Sequence, residues 1–396
     1  MTFALWMLTR EKYQNLLAKR AAKYLSEKLH TKVSIDHVSL SFFNQFNFQG
    51  VYIEDNHHDT LAYVGSLQIK TSELLSNYWN NSRPVIHDIR LENVYVHMNR
   101  DNDSVWNYDF IANAFNAPSK TKTTSDASDQ QHTSSPELDI KKIACHNIRV
   151  FMNDGWRGED MNFTFATLSL TANEIDLIKK NIALNNILID GAKIAVREYN
   201  GNKPKDLSPD DSSSWGTPFN PDNYKLTLQS LHLSGSSFLY QDGKPTSIPG
   251  LFDENNIDIS KLSIDLGATT VVSDTIFSTI NKLTATERSG IAIKQMNAHI
   301  KLSQIQTSLD QLNLVTNYSS VGDHYEMNYA NFHDFNDYID KVHMKASLKN
   351  SSISTLDIGY FANIMNKYPI AVDVAGEVDG TVAEFPLVLV LYQLLP

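Results

Sequence analysis

The stretch "IRLENVYVHMN" at residues 89–99 is matched by "IACHNIRVFMN" at residues 143–153. In both, apolar residues alternate as in a β-strand, the alternation slips by one residue at an Asn, and then it resumes. Because side chains alternate with a strict period of two, one extra residue turns everything after it to the wrong face unless the backbone bends there. Gly and Asn enter left-handed backbone most easily, so a slip at such a residue reads as a bulge or tight corner that restores the original face. Aligning the chain on the slip gives five copies: Phe46, Phe48, Gly50, Val51, Ile53; Ile89, Leu91, Asn93, Val94, Val96; Ile143, Cys145, Asn147, Ile148, Val150; Ile187, Ile189, Gly191, Ala192, Ile194; and Leu231, Leu233, Gly235, Ser236, Phe238. The slip residues Gly50, Asn93, Asn147, Gly191 and Gly235 are separated by 43, 54, 44 and 44 positions. Isolated slips also occur in β-sandwiches, but five at near-constant spacing favour a repeat.

Most other segments also alternate with period two, for example "TLAYVGSLQIKT" at 60–71 and "YKLTLQSLHLSGSSFLYQD" at 224–242. The expected fold is therefore mainly β: an elongated, curved β-sheet groove of repeating bent strands, with an N-terminal amphipathic helix and a few short helices. Phased to the slip, the alternation puts Ile89, Leu91, Val94, Val96 and Met98 on one face, and Ile143, Ile148, Val150, Met152, Ile187, Ile189, Ile194, Val196, Leu231, Leu233, Phe238 and Tyr240 extend that lining. Met98 and Met152 hold equivalent positions, where a thioether gives a soft, adaptable surface. Arg90, Glu92 and His97 fall on the opposite, wet face.

Residues 11–30 place Tyr13, Leu17, Ala21, Tyr24, Leu25 and Leu29 on one helical stripe, expected to cap the sheet or to continue out of a membrane anchor. Residues 1–32 carry seven Lys/Arg against Glu11 and Glu27, a net of +5, which leaves −16 for the rest of a chain whose total is −11. An acidic body disfavours nucleic acid as a partner. "MTFALWML" at 1–8 is too short to span a bilayer. Short helices are expected within "TSELLSNYW" (71–79), "NYDFIANAFN" (107–116) and "SISTLDIGYFANIMN" (352–366). The chain divides into a helical region at 1–32, first repeats at 33–116, a disordered insert at 117–137, continued repeats at 138–385 with a loop at 201–223, and an apolar tail at 386–396.

The segment "LAKRAAKYLSEKLHTKVSIDHVSLSFFNQFNFQGVYIEDNHHDTLAYVGSLQI" (17–69) resembles the start of AsmA-like proteins of the TamB type, especially those of Bacteroidota envelopes. There a helix leads into "TKVSI", an "SFF" element and an "IED…DTL" hairpin. "HDIRLENVYVHMNRDNDSVWNYDFI" (87–111) is similar to that family's strand pair followed by a short helix starting at an Asn-aromatic pair, here Asn107-Tyr108. The likeness is closest over 1–115 and returns at "GEVDGTVAEF" (376–385). It implies a periplasmic protein held by an N-terminal inner-membrane helix and related to bridge-like lipid-transfer proteins. It further implies phospholipid transport between the inner and outer membranes, with phospholipid acyl chains as cargo, and a role in outer-membrane or surface protein assembly beside an outer-membrane barrel partner. Against that family the membrane helix is missing or cut down to "MTFALWML" and the C-terminal barrel-partner region has no counterpart, so the expectation is a truncated or frame-shifted gene product.

No nucleophile-elbow, phosphate-loop, dinucleotide or zinc-protease motif occurs, and Cys145 is the only cysteine, so neither an intrachain disulfide nor a cysteine-based zinc site can form. "DNHHDT" (55–60) reads as a hairpin turn, and "NFHDFNDYID" (331–340) as a half-buried strand or short helix, rather than as metal sites. The expectation is a protein without catalytic residues, metal or cofactor. Two other readings stay open: a scaffold that templates client strands on exposed sheet edges, and a surface β-solenoid adhesin with a closed interior.

Overall fold

A computed structural model describes residues 11–41, 44–72, 85–102, 104–116, 137–176, 179–204, 218–243, 248–384 and 390–391. The expectations for "MTFALWML", for a helix in most of 71–79, for the insert and for most of the tail fall outside these residues. The chain is mainly β, built from curved sheet with few short helices, as the alternation implied. It divides into two compact units, 1–169 and 170–396.

The first unit opens with helix α1 (Glu11–Leu29), which is rich in Ala, Leu, Lys and Glu and ends where His30 turns left-handed at φ 56°. Strands β1 (Val33–Ser34) and β2 (His37–Ser41) both pair with β3 (Gln45–Glu54), on either side of its corner at Gly50. Strands β4 (Thr60–Thr71) and β5 (Val85–Arg100) continue the antiparallel meander. After helix α2 (Asp109–Asn116), strand β6 (Glu137–Asp154) returns parallel to β5, and a turn at 155–158 leads into β7 (Glu159–Asp176), inside which the unit boundary falls.

Helix α1 packs on β1 and β2. Its buried residues are Ala18 and Leu29, Ser26 bonds the backbone of Val33, and Asn15 meets the His37 ring at 3.1 Å. The expected stripe holds in part: Leu29 is buried and Tyr13, Ala21 and Leu25 are half-buried, whereas Leu17 and Tyr24, assigned to the same face, are 43% and 60% exposed. Ala18, outside the stripe, is buried, so the docked face is centred slightly away from Leu17 and Tyr24.

In the second unit, β8 (Asn181–Asp190) and β9 (Lys193–Glu198) act as one bent strand, since both run parallel to β10 (Lys225–Asp242) with a single offset. From β10 the chain meanders antiparallel through β11 (Asn256–Val272), β12 (Thr275–Glu287), β13 (Ala292–Ser303), β14 (Gln306–Val315), β15 (Ser320–Asn328), β16 (His343–Ser354) and β17 (Ala371–Gly380) to the short β18 (Val390–Leu391). Two excursions interrupt it. A 3-10 turn (Phe332–Asp337) and helix α3 (Tyr338–Lys341) lie between β15 and β16; helix α4 (Thr355–Ile358) and a 3-10 turn (Asn363–Lys367) lie between β16 and β17.

Candidate functional site

All five slip residues are left-handed, with φ of 60° at Gly50, 57° at Asn93, 52° at Asn147, 62° at Gly191 and 56° at Gly235. At each, one residue turns through the corner and the next side chain returns to the apolar face. The copies around Asn93 and Asn147, and those around Gly191 and Gly235, are parallel neighbours in register. Ile89 lies beside Ile143, Val94 beside Ile148, Val96 beside Val150 and Met98 beside Met152. In the second unit Ile187 lies beside Leu231, Ile189 beside Leu233, Ile194 beside Phe238 and Val196 beside Tyr240. The corners stack as well, since Asn147 Nδ2 donates to Asn93 Oδ1 at 2.7 Å.

The register then extends each apolar position into a cross-strand row. In the first unit one row runs Leu40, Phe46, Ile69, Ile89, Ile143, and the next runs Val38, Phe48, Leu67, Leu91, Cys145. In the second unit Ile189, Leu233, Ile264, Leu283, Met296, Leu314 and Val321 form a row across seven strands. All seventeen residues expected to line the face are half-buried, none sealed and none fully exposed. Among the described residues Val342 is the one large side chain with essentially no exposure, so these sheets carry broad apolar faces rather than a filled core. The densest packing is local: Ala172, Leu184 and Leu228 form a buried cluster with Leu170, Ile187 and Leu231 around it.

Sequence reasoning missed three features of these sheets. The line of corners continues through Lys261, Gln311 and Asn350, with φ of 52°, 52° and 50°. The alternation slips there too, as in Leu309, Gln311, Leu312, Leu314; Lys and Gln do not announce a left-handed residue as Gly and Asn do, whereas Leu348, Asn350, Ser351, Ile353 carries that signal. The second is a cover at one end of the second unit. Tyr329, Phe332, Phe335 and Tyr338 stack in sequence with ring centroids 5.0–6.2 Å apart. The Tyr338 hydroxyl sits 3.1 Å from that of Tyr325 and 3.0 Å from the Met344 sulfur. Burial, and then the Tyr338 hydroxyl, push the Tyr325 phenol far above its ordinary range, so it stays neutral. The third is on the opposite face of the first unit, which is not uniformly polar: Tyr95 and Phe151 pack at 5.6 Å.

Polar groups close the strand ends. Arg100 of β5 makes a two-pronged ion pair with Asp154 of β6 at 2.7 and 2.6 Å, its guanidinium lies 4.6 Å from the Trp106 ring, and Asp154 also accepts from the Arg157 N–H. Asp55, 3% exposed, accepts from the backbone N–H groups of His57 and Asp59 and from Asn107 Nδ2, so "DNHHDT" is a hairpin turn tied to the start of α2. Burial alone would raise the Asp55 carboxyl; the Asn107 and backbone hydrogen bonds outweigh it and hold the group below the usual carboxylate range. Burial pushes the Cys145 thiol up, which keeps it protonated among its apolar neighbours. Among the described residues no cluster of His, Cys, Asp or Glu has the geometry to hold a metal ion, and no helix is long and apolar enough to cross a membrane.

No family model matches the chain, and no curated protein matches it.

Proposed function

We propose that the apolar sheet faces are troughs for phospholipid acyl chains, and that the protein is a non-enzymatic lipid-transfer component of a Gram-negative cell envelope, AsmA-like and of the TamB type, working between inner and outer membranes. The observation that carries this reading is the half-buried state of the seventeen lining residues, set in register across neighbouring strands. A sealed core would exclude a guest, and a fully exposed apolar face would drive aggregation. A trough needs no reacting group: removing tails from water contributes about 0.8 kcal/mol per methylene, and a continuous lining offers nearly equal energy at each position along it. The headgroup stays in solvent while the tail slides.

The test is a photo-crosslinker placed in turn at Val96 and Val150, on the apolar face, and at Tyr95 and Arg149, on the other. The expected result is phospholipid captured from the first pair and not from the second, with lipid identified by mass spectrometry of the purified protein. Equal capture from both faces removes the proposal.

A second reading, a scaffold for outer-membrane protein assembly, draws on β17. Its outer edge is paired only at Val374 and Ala375 among the described residues, which leaves backbone groups available to a client strand.

A further inference from the structure

The face of the first unit's sheet opposite the apolar rows holds a hollow of about 230 Å3. Two cross-strand rows shape it. Lys70, Asp88 and Lys142 stand side by side on β4, β5 and β6, and Gln68, Arg90 and Ala144 form the adjacent row. Ala144 is 8% exposed and forms the floor: one methyl group in a row of long side chains leaves a depression that Arg90 and Lys142 rim.

The charge in this hollow is unusual for the chain. Three cations face one carboxylate, a local net of +2 on a protein whose total is −11. Lys70, Arg90 and Lys142 are all exposed, and among the described residues none of them forms an ion pair or side-chain hydrogen bond. Asp139 does not line the hollow, and its carboxylate is taken by Lys141 at 2.8 Å and lies 3.8 Å from the His87 ring. Glu92 lies one row farther, beside Ser66 and His146, and does not line the hollow. Asp88, in register between Lys70 and Lys142, offsets one of the three charges, and the net +2 that remains favours a bound anion. A guanidinium fork one row from two ammonium groups, with the Gln68 amide beside it as a neutral donor, matches the several oxygens of a phosphate group. The volume lies below that of pockets for drug-sized ligands, which suits a phosphate or a simple phosphate ester.

We infer that Lys70, Arg90 and Lys142 form a binding site for a phosphate group, free or borne by a lipid headgroup. The site lies on the opposite face from the acyl-chain trough and does not depend on it.

The test uses the full chain and three probes: inorganic phosphate and glycerol 3-phosphate by titration calorimetry, and flotation with phosphatidylglycerol vesicles against phosphatidylcholine vesicles. Saturable binding is expected. The combined variant Lys70→Gln, Arg90→Gln, Lys142→Gln should weaken it by about tenfold or more, and Asp88→Asn, which removes the one opposing charge, should strengthen it about threefold. Those changes measured with the small anions assign a free phosphate; the same changes seen only with phosphatidylglycerol vesicles assign a headgroup. Binding to none of the probes, or binding that these variants leave unchanged, overturns the site.

Discussion

At the residue scale, each left-handed corner determines which face the side chains after it on that strand join. Gly50 is the most constrained: besides its positive φ, a Cβ there would overlap the Asp36 carboxylate. Gly50→Ala should destabilise by about 1–3 kcal/mol, because strained backbone and a displaced carboxylate act together. Gly191→Val should cost more than about 1 kcal/mol from backbone strain. Urea midpoints equal to that of the parent protein in both would sink the corner argument. Asp55 gives a pH prediction. Its folded pKa lies below the unfolded one, so its contribution is fully present above the ordinary carboxylate value of about 3.9 and is lost as pH falls through the lower folded value. Asp55→Asn should therefore flatten the acid limb of the stability curve below about pH 4 while lowering stability at neutral pH. An acid limb of unchanged steepness in a urea series would contradict it.

At the element scale, parallel β5 and β6 are clamped at one end by the Arg100–Asp154 pair, in which both side chains are largely buried, 10% and 3% exposed. Arg100→Met leaves the Asp154 carboxylate buried without its partner and should cost about 3–5 kcal/mol, whereas Arg100→Met with Asp154→Leu should cost less than the single change. Thermal or urea unfolding of the two variants checks it; a double variant no more stable than the single one would show the pair is not the clamp. The helix offers a contrast. A stripe drawn from hydrophobicity alone selects Leu17, Tyr24 and Leu29 for the buried face, yet the sheet takes Leu29 with Ala18 and the Ser26 hydroxyl, which bonds the Val33 backbone.

At the scale of the whole chain, one device is used in each unit: a strand returns parallel to its predecessor after 54 or 44 residues and lays its side chains in the same row. A lining built this way tolerates local charge better than a sealed core does, since water reaches it. Val96→Asp and Val150→Asp should therefore slow phospholipid transfer between vesicles strongly while shifting the urea midpoint little. Transfer that falls only as far as the folded fraction falls would place these residues in a structural core instead.

Sequence alone determined the strands, the faces and the five corners, because each is a local property: period-two alternation fixes which side chains share a face, and Gly or Asn at a slip marks where the backbone can turn left-handed. That the seventeen residues of the expected strip share faces in register was legible for the same reason. Only the tertiary structure decided which copies become neighbours. The spacing of 54 places β6 directly against β5, while the spacing of 43 leaves β4 between Gly50 and Asn93. It also decided that Tyr329 to Tyr338 fold over one end of the face, that α1 buries Ala18 and leaves Leu17 and Tyr24 outside, and that Lys70, Arg90 and Lys142 gather around Ala144. Those arrangements join residues on different strands, and the register that brings them together is set by pairings no single segment contains.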